Sequence, residues 1–152
     1  MKIITEKNPI LRKKSQDIED VFDIRIKRLV DVMKKVMKKN KGIGIAAPQL
    51  GILKRIILIN MKDGPLALIN PKIIRFSEEK ECGEEGCLSV PGRYGQVERC
   101  INVRYKGILL SGKKKEDDAN GLFARVLQHE IDHLDGILFI DKIRNDEENE
   151  KI

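Results

Sequence analysis

The chain has few aromatic residues and few cysteines, and each shortage excludes a class of protein. Aromatic residues make up 4% of the 152 positions and tryptophan is absent, so no stacking platform for nucleic-acid bases accompanies the lysines. Three cysteines, behind an N-terminus without the apolar stretch of a secretion signal, argue against a disulfide framework. No apolar run is long enough to cross a bilayer. These absences predict a cytoplasmic protein with no membrane partner.

Length and composition predict one compact domain that includes the whole chain, residues 1–152, with a charged tail at 145–152 that frays. Hydrophobic residues make up 41% and charged residues 36%, as in folded globular proteins. The net charge of +6 is local, because residues 1–41 contain 13 basic and 6 acidic side chains. This end of the chain could lie near RNA, but a solvated helix face is the preferred interpretation, and no specific nucleic acid is expected.

Apolar periodicity predicts two helices. The first runs from about Asp20 to Asn40, with Asp20 or Asp23 as its cap. Its apolar positions follow the spacing of one buried helix face: Phe22, Ile26, Leu29, Val30, Met33, Val36 and Met37. The second helix runs from about Leu122 to Leu134, and Gly136 follows its end.

Short β-branched runs between the two helices predict strands. They are Ile52 to Asn60, the segments LALIN and KIIRF separated by Pro71, and a partly alternating run from Val97 to Tyr105. The polar stretch KKKEDDAN is too hydrophilic to be assigned as a strand. Several strands precede one central helix, so the predicted class is α+β.

The second helix contains the sequence His129-Glu130-Ile131-Asp132-His133, an HExxH pattern. Residues four apart on a helix share one face, so two imidazoles at that spacing can converge on one metal ion. Glu130 lies about 100° around the helix from His129, where a proton-transferring carboxylate is needed. Leu122 and Val126 continue the same face, which directs the imidazoles towards the core. A metal site is therefore favoured over a chance pattern on a surface helix.

Two helix ligands leave a metal ion under-coordinated, so a third must come from elsewhere in the chain. The residues of suitable chemistry are Cys82, Cys87, Cys100 and a tail glutamate such as Glu150. For any single cysteine a packing role is the commoner one, and spacing alone does not choose among these four.

Three separated motifs resemble the peptide deformylase family and occur in the family's order. They are GIGIAAPQ at 42–49, EGCLS at 85–89 and QHEIDHLDG at 128–136. The resemblance extends from NPILR near the N-terminus to FIDKI near the end. It implies an α+β fold in which small antiparallel sheets surround the HExxH helix behind an N-terminal amphipathic helix. It also implies a hydrolase that removes the formyl group from the N-terminal formylmethionine of nascent polypeptides and releases formate.

The resemblance implies a role for each matching residue. The metal ligands would be Cys87, His129 and His133, Glu130 would act on the water, and Gln49 and the backbone N–H of Leu88 would form the oxyanion hole. One divalent metal ion is expected, natively Fe(II), although Zn(II), Ni(II) or Co(II) can occupy such a site. The implied partners are N-formylmethionyl nascent peptides, with transient proximity to the ribosome.

Small residues in the first motif would let an extended peptide lie against the backbone of Ile43, Gly44 and Ile45. Leu122 and Val126, together with Ile43 and Leu88, could line a pocket for an unbranched apolar side chain, or could be plain core. Gln128 is expected to be structural. Tyr94 stands near where some relatives carry arginine, and no role in peptide binding is assigned to it or to Arg99.

Three alternatives compete with this hypothesis. A metalloprotease would take Glu148 or Glu150 as its third ligand. A structural zinc module would close a four-ligand site with Cys82 and Cys87 beside the two histidines. An RNA-binding protein would use the basic first helix and would lack hydrolase activity.

Overall fold

The computed structural model describes residues 1–144, so the predicted frayed tail lies outside the described residues. Two α-helices and seven strands form in that part of the chain. In chain order they are α1 (Ile24–Lys39), β1 (Gly44–Ala46), β2 (Ile56–Met61), β3 (Gly64–Phe76), β4 (Lys80–Cys87), β5 (Val90–Cys100), β6 (Asn102–Ile108), β7 (Lys114–Asn120) and α2 (Gly121–Leu134). None of the described helices is long and apolar enough to cross a membrane.

The strands form two antiparallel sheets, and the predicted α+β class is confirmed. One sheet has five strands in the order β1-β2-β3-β6-β7, and the other is the hairpin β4-β5. Helix α2 contacts strands of both sheets, including β1 and β5. Because α2 lies against both, side chains from distant segments can meet on its surface.

Helix α1 begins later than the sequence predicted. The carboxylate of Asp23 accepts a hydrogen bond from the backbone N–H of Arg25 and caps the helix there. Phe22 therefore lies before the helix and is 74% exposed, so its assignment to the buried face was wrong. The buried positions are Ile26, Val30, Met33, Val36 and Met37.

Strand β3 is continuous across Pro71, so the prediction of two separate segments was wrong. The chain absorbs the proline with a register shift between Ile69 and Lys72, where Asn70 has a φ of 51°. The Asn70 side chain fixes this bulge by accepting from the N–H of Ile18 and donating to its carbonyl. Two hydrogen bonds to Ile18, in a distant segment, thus hold the backbone at the bulge.

Strands β4 and β7, in which at least half of the residues are charged, were not predicted. Strand β7 includes most of KKKEDDAN and forms one edge of the large sheet, where its charges face solvent and Ala119 faces the core. Arg104 on β6 pairs across the strands with Glu116 and Asp118. The predicted run from Val97 to Tyr105 is also wrong as one strand, because β5 ends and β6 begins on either side of Ile101.

Helix α2 spans 121–134, close to its predicted bounds, and ends against the N-terminal segment. Gly136 has a φ of 75°, and a Cβ at this position would overlap the carbonyl group of Arg12. Position 136 therefore requires glycine for two reasons, the positive φ and the lack of space for a side chain. The tight turn lets the 3₁₀ helix at Phe139–Lys142 return along the hairpin β4-β5.

Candidate active site

One turn of α2 places two histidines side by side in the interior. The rings of His129 and His133 have centroids 5.2 Å apart and both residues are buried. The four-residue spacing puts both on the same face, as the HExxH pattern predicted. The ring of His129 also stacks on Phe139, at a centroid distance of 6.1 Å, which limits its rotation.

The end of strand β4 brings Cys87 to these imidazoles. Its Sγ lies 3.3 Å from Nε2 of His133. The ligand atoms of Cys87, His129 and His133 all lie within 4.8 Å of one another. Among residues 1–144, no other group of three potential metal ligands is this compact.

The electrostatics of this triad suit a positive charge at its centre. Burial lowers the pKa of His129, but hydrogen bonds with Cys87 and Glu85 and the charge of Glu130 outweigh it and raise the pKa to about 10. Burial, together with the charges of His129 and Arg99, holds the pKa of His133 well below its usual value, so this ring is neutral. A cysteine sulfur and two imidazole nitrogens this close together form a donor set that fits a divalent cation.

The other sulfur atoms do not join the triad. Cys82 is exposed and its Sγ accepts a hydrogen bond from Arg144, while Cys100 is buried away from the site. The alternative of a four-ligand site with Cys82 is therefore wrong. Glu148 and Glu150, the ligands of the metalloprotease alternative, lie outside the described residues.

Glu85 orients one of the imidazoles, a contact that the sequence analysis missed. Its carboxylate lies 2.8 Å from Nδ1 of His129, which leaves Nε2 to face the triad. A signal for this contact exists in the sequence, because Glu85 and Cys87 are two residues apart in a strand and their side chains share one face.

Two arginines hold Glu85 in place. Arg99 donates to both of its oxygens at 2.9 Å, and Arg125 donates at 2.7 Å. Burial raises the pKa of Glu85, but the hydrogen bonds from Arg99 and His129 lower it by more, so the carboxylate stays ionised. Arg99 also donates a hydrogen bond of 2.6 Å to Asp132. Arg99 therefore has a structural role that was not predicted from the sequence.

Glu130 lies beside the triad without bonding to it. It is 4% exposed, and its Oε1 atom has no hydrogen-bond partner in the described part of the chain. Burial raises its pKa to about 7. A carboxyl group with this pKa exchanges a proton readily at neutral pH. Gly44 makes room for it, because a Cβ at that position would lie 2.6 Å from Oε2 of Glu130.

Gln49 reaches the site from the 3₁₀ helix that follows β1. Its Oε1 accepts from the N–H of Ala46, which fixes the side chain, and its Nε2 lies 3.1 Å from Oγ of Ser89 and 3.5 Å from Sγ of Cys87. Leu88 lies in the turn between β4 and β5, outside both strands, so its N–H is not part of their ladder. Both predicted donors therefore stand next to Cys87.

A cleft of about 620 Å³ opens beside the triad. Four of the predicted pocket residues line it: Ile43, Leu88, Leu122 and Val126. Gly44 lines it as well, whereas the side chain of Ile45 is buried in the core. The contact of a peptide with the backbone of Ile45 stays a prediction. Gln128 bonds the backbone of Cys100 and Ala124, as expected of a structural residue.

Comparisons with known proteins agree with this geometry. The family model described as polypeptide deformylase matches residues 1–149. The chain is 49% identical to a peptide deformylase of Finegoldia magna over 147 residues, which cover 95% of this chain and 90% of that protein. It is also 49% identical to a peptide deformylase of Alkaliphilus metalliredigens, covering 93% of this chain and 95% of that protein.

Solved structures resemble this fold over almost its full length. The crystal structure of peptide deformylase from Thermotoga maritima superposes with a TM-score of 0.91 at 38% identity and covers 94% of this chain and 97% of that one. A Met-Ala-Ser-bound peptide deformylase from Acinetobacter baumannii has a TM-score of 0.90 at 37% identity, covering 94% and 98% respectively. On these matches and on its own site geometry, this chain belongs to the polypeptide deformylase family.

Proposed function

We propose that this chain hydrolyses the formamide at the N-terminus of formylmethionyl polypeptides, releasing formate and a free amine. The observation that supports this most strongly is the triad of Cys87, His129 and His133, with its ligand atoms within 4.8 Å and the unpartnered carboxylate of Glu130 beside it. A compact metal-binding triad next to a carboxyl group that can carry a proton suits amide hydrolysis at neutral pH.

Cys87, His129 and His133 would hold one divalent cation. When bound, that cation supplies Lewis-acid chemistry to the formyl carbonyl and to water. Fe(II) is the proposed native ion, and Zn(II), Ni(II) or Co(II) suit the same mixed sulfur and nitrogen donors. Three protein ligands leave room for water and substrate, as a catalytic rather than a structural site requires.

Glu130 would move the proton. Its carboxylate accepts the proton of the attacking water while the new carbon–oxygen bond forms at the formyl carbon. It then gives that proton to the amide nitrogen as the carbon–nitrogen bond breaks, so that the amine leaves in its neutral form. The second proton of the water, now on formic acid, passes to solvent and leaves formate. Its pKa of about 7 balances acceptance against donation near neutral pH.

Gln49 and Leu88 would stabilise the charge that develops on the formyl oxygen. The amide of Gln49 is held by Ala46, so its Nε2 can donate without reorganising. The N–H of Leu88 is the neighbouring donor, one residue beyond Cys87. Fixed donors beside the reacting carbon stabilise the transition state more than the planar substrate.

The peptide would bind along β1, which is an edge strand of the five-stranded sheet. An extended chain can pair with such an edge through main-chain hydrogen bonds, and Gly44 allows it to lie close. The methionine side chain would enter the apolar part of the cleft, formed by Ile43, Leu88, Leu122 and Val126.

The proposed physiological substrates are nascent polypeptides that still carry their formyl group. Acting on them places the protein in the cytoplasm, transiently near the ribosome.

The test is release of formate from formyl-Met-Ala-Ser in anaerobic buffer with iron supplied. The matched control is acetyl-Met-Ala-Ser, whose extra methyl group must fit the space beside Cys87 and Gln49. We expect formate from the formyl peptide, and little or no acetate or free N-terminal amine from the acetyl peptide. A folded, metal-loaded protein that releases no formate would refute the proposal.

A further inference from the structure

The outward face of α1 carries five basic residues, two near its start and three near its end. At 100° per residue, Lys27, Arg28, Lys35, Lys38 and Lys39 fall within an arc of about 120° opposite the buried residues. All five are exposed, and only Asp31 interrupts them with an opposite charge. We call these five residues the α1 cationic face.

No carboxylate of the described residues pairs with the α1 cationic face. The described ion pair on α1 joins Arg25 to Asp23, outside this face. Residues 24–41 contain eight basic side chains and one acidic one, so this segment carries +7 while the whole chain carries +6. The positive charge of the molecule is therefore concentrated on one helix.

The α1 cationic face brings like charges close together. Lys35 and Lys39 are four residues apart, and Lys35 and Lys38 are three apart, so like charges adjoin on one surface. Such pairs cost about 0.2–0.5 kcal/mol each. The helix dipole favours Lys38 and Lys39 in the last turn but gives no such support to Lys27, Arg28 and Lys35. A face of adjoining like charges that has no acidic partner among residues 1–144 is suited to an external anion.

The α1 cationic face leads directly into the candidate active-site cleft. Helix α1 ends at Lys39, and the next three residues, Asn40, Lys41 and Gly42, line the cleft wall. A partner bound along α1 would therefore lie beside the opening through which the peptide enters.

We propose that the α1 cationic face binds the phosphate backbone of RNA without sequence preference. The helix is about 24 Å long, which matches several consecutive phosphates. The five residues of the face carry no aromatic side chain for stacking on bases, so binding would be electrostatic. A lipid surface fits less well, because the apolar side of α1 is buried in the core and cannot enter a bilayer. RNA binding at this face is independent of the proposed hydrolase activity. A benefit of that binding to nascent-chain processing rests on the proposed function.

The test compares two triple variants that remove the same charge. One is K35Q/K38Q/K39Q on the α1 cationic face, and the control K62Q/K113Q/K114Q alters exposed lysines elsewhere. Binding of a fluorescent RNA duplex is measured by anisotropy from 0.05 to 0.3 M KCl, in parallel with formate release. The slope of log K against log[KCl] changes by about 0.9 for each phosphate that a lysine neutralises. The α1 variant should therefore make this slope shallower by about 2–3. Its affinity near 0.1 M salt should fall on the order of 10²-fold, with the control unchanged.

The remaining outcomes overturn the proposal. Equal losses in both variants would mean that net charge alone governs binding, and no loss in either would mean that RNA binds elsewhere or not at all. Binding to vesicles containing phosphatidylglycerol but not to RNA would assign the face to a membrane. Formate release is expected to be unchanged in both variants, so its failure in the parent protein would refute the proposed function and not this surface.

Discussion

Replacing Glu85 with glutamine should destabilise the fold and weaken metal binding together. The change keeps the shape of a side chain that is 5% exposed but removes its charge. Arg99 and Arg125 then remain in or near the interior without their main counter-ion, and the new amide group directs N–H donors at their guanidinium groups. Breaking a buried ion pair in this way costs about 3–5 kcal/mol.

That cost is a large part of the stability of a domain this size. Folded domains are stable by about 5–15 kcal/mol, and 1 kcal/mol shifts Tm by about 2–4 °C at this length, so Tm should fall by about 6–20 °C. Loss of the Glu85 contact also frees His129 to rotate, which should weaken metal binding by about 10–100-fold. The measurements are urea unfolding followed by circular dichroism and metal affinity by competition with a chelator.

The matched control is Glu81→Gln, an exposed carboxylate on the same strand. It should change the free energy of unfolding by no more than about 0.5 kcal/mol. The pKa of Glu85 lies well below its ordinary value of 4.5 in the folded protein, so its contribution is complete above that pH and is lost as the pH falls. The difference in the free energy of unfolding between the parent protein and Glu85→Gln should therefore become smaller in acid. Indistinguishable stability of the Glu85 and Glu81 variants at pH 7 would refute this reasoning.

Three further substitutions test the site. Glu130→Gln should keep the metal and lower kcat by about 10²–10⁴-fold, because the amide cannot carry a proton; unchanged turnover would remove Glu130 from the mechanism. Gly44→Ala places a Cβ 2.6 Å from Oε2 of Glu130. We therefore expect kcat to fall about 10²-fold and the free energy of unfolding to fall by about 1–3 kcal/mol. Wild-type values for both would show that this close approach does not matter. Gln49→Ala should lower kcat by about 10²–10³-fold with metal content intact, as measured by formate release, and a rise in KM alone would instead assign Gln49 to ground-state binding.

Helix α2 and its two imidazoles could be predicted from sequence because local periodicity determines them. The spacing of His129 and His133 is a property of one helix. Val126 on their face is buried as predicted, whereas Leu122 on the same face is 67% exposed and lines the cleft. Strands β4 and β7 could not be predicted in this way. Each has charged side chains that remain in solvent on one face, so the run as a whole is more polar than a typical strand.

The residues around the triad depend on contacts between distant segments. Glu85 is 44 residues from His129 and Arg99 is 33 from Asp132, so no local pattern links them. The resemblance to a known family identified Cys87, while spacing left three cysteines and a glutamate open. The bulge at Asn70 in β3 likewise depends on a hydrogen bond with Ile18, more than fifty residues earlier in the chain.

The central claim is that the sulfur of Cys87 binds the same cation as the two imidazoles. The most direct test is the absorption spectrum of the Co(II)-loaded protein, in which a thiolate ligand produces a charge-transfer band in the near ultraviolet. We expect this band in the parent protein and in Cys82→Ser, and its loss in Cys87→Ser. A band that persists in Cys87→Ser, or that disappears in Cys82→Ser, would contradict the claim.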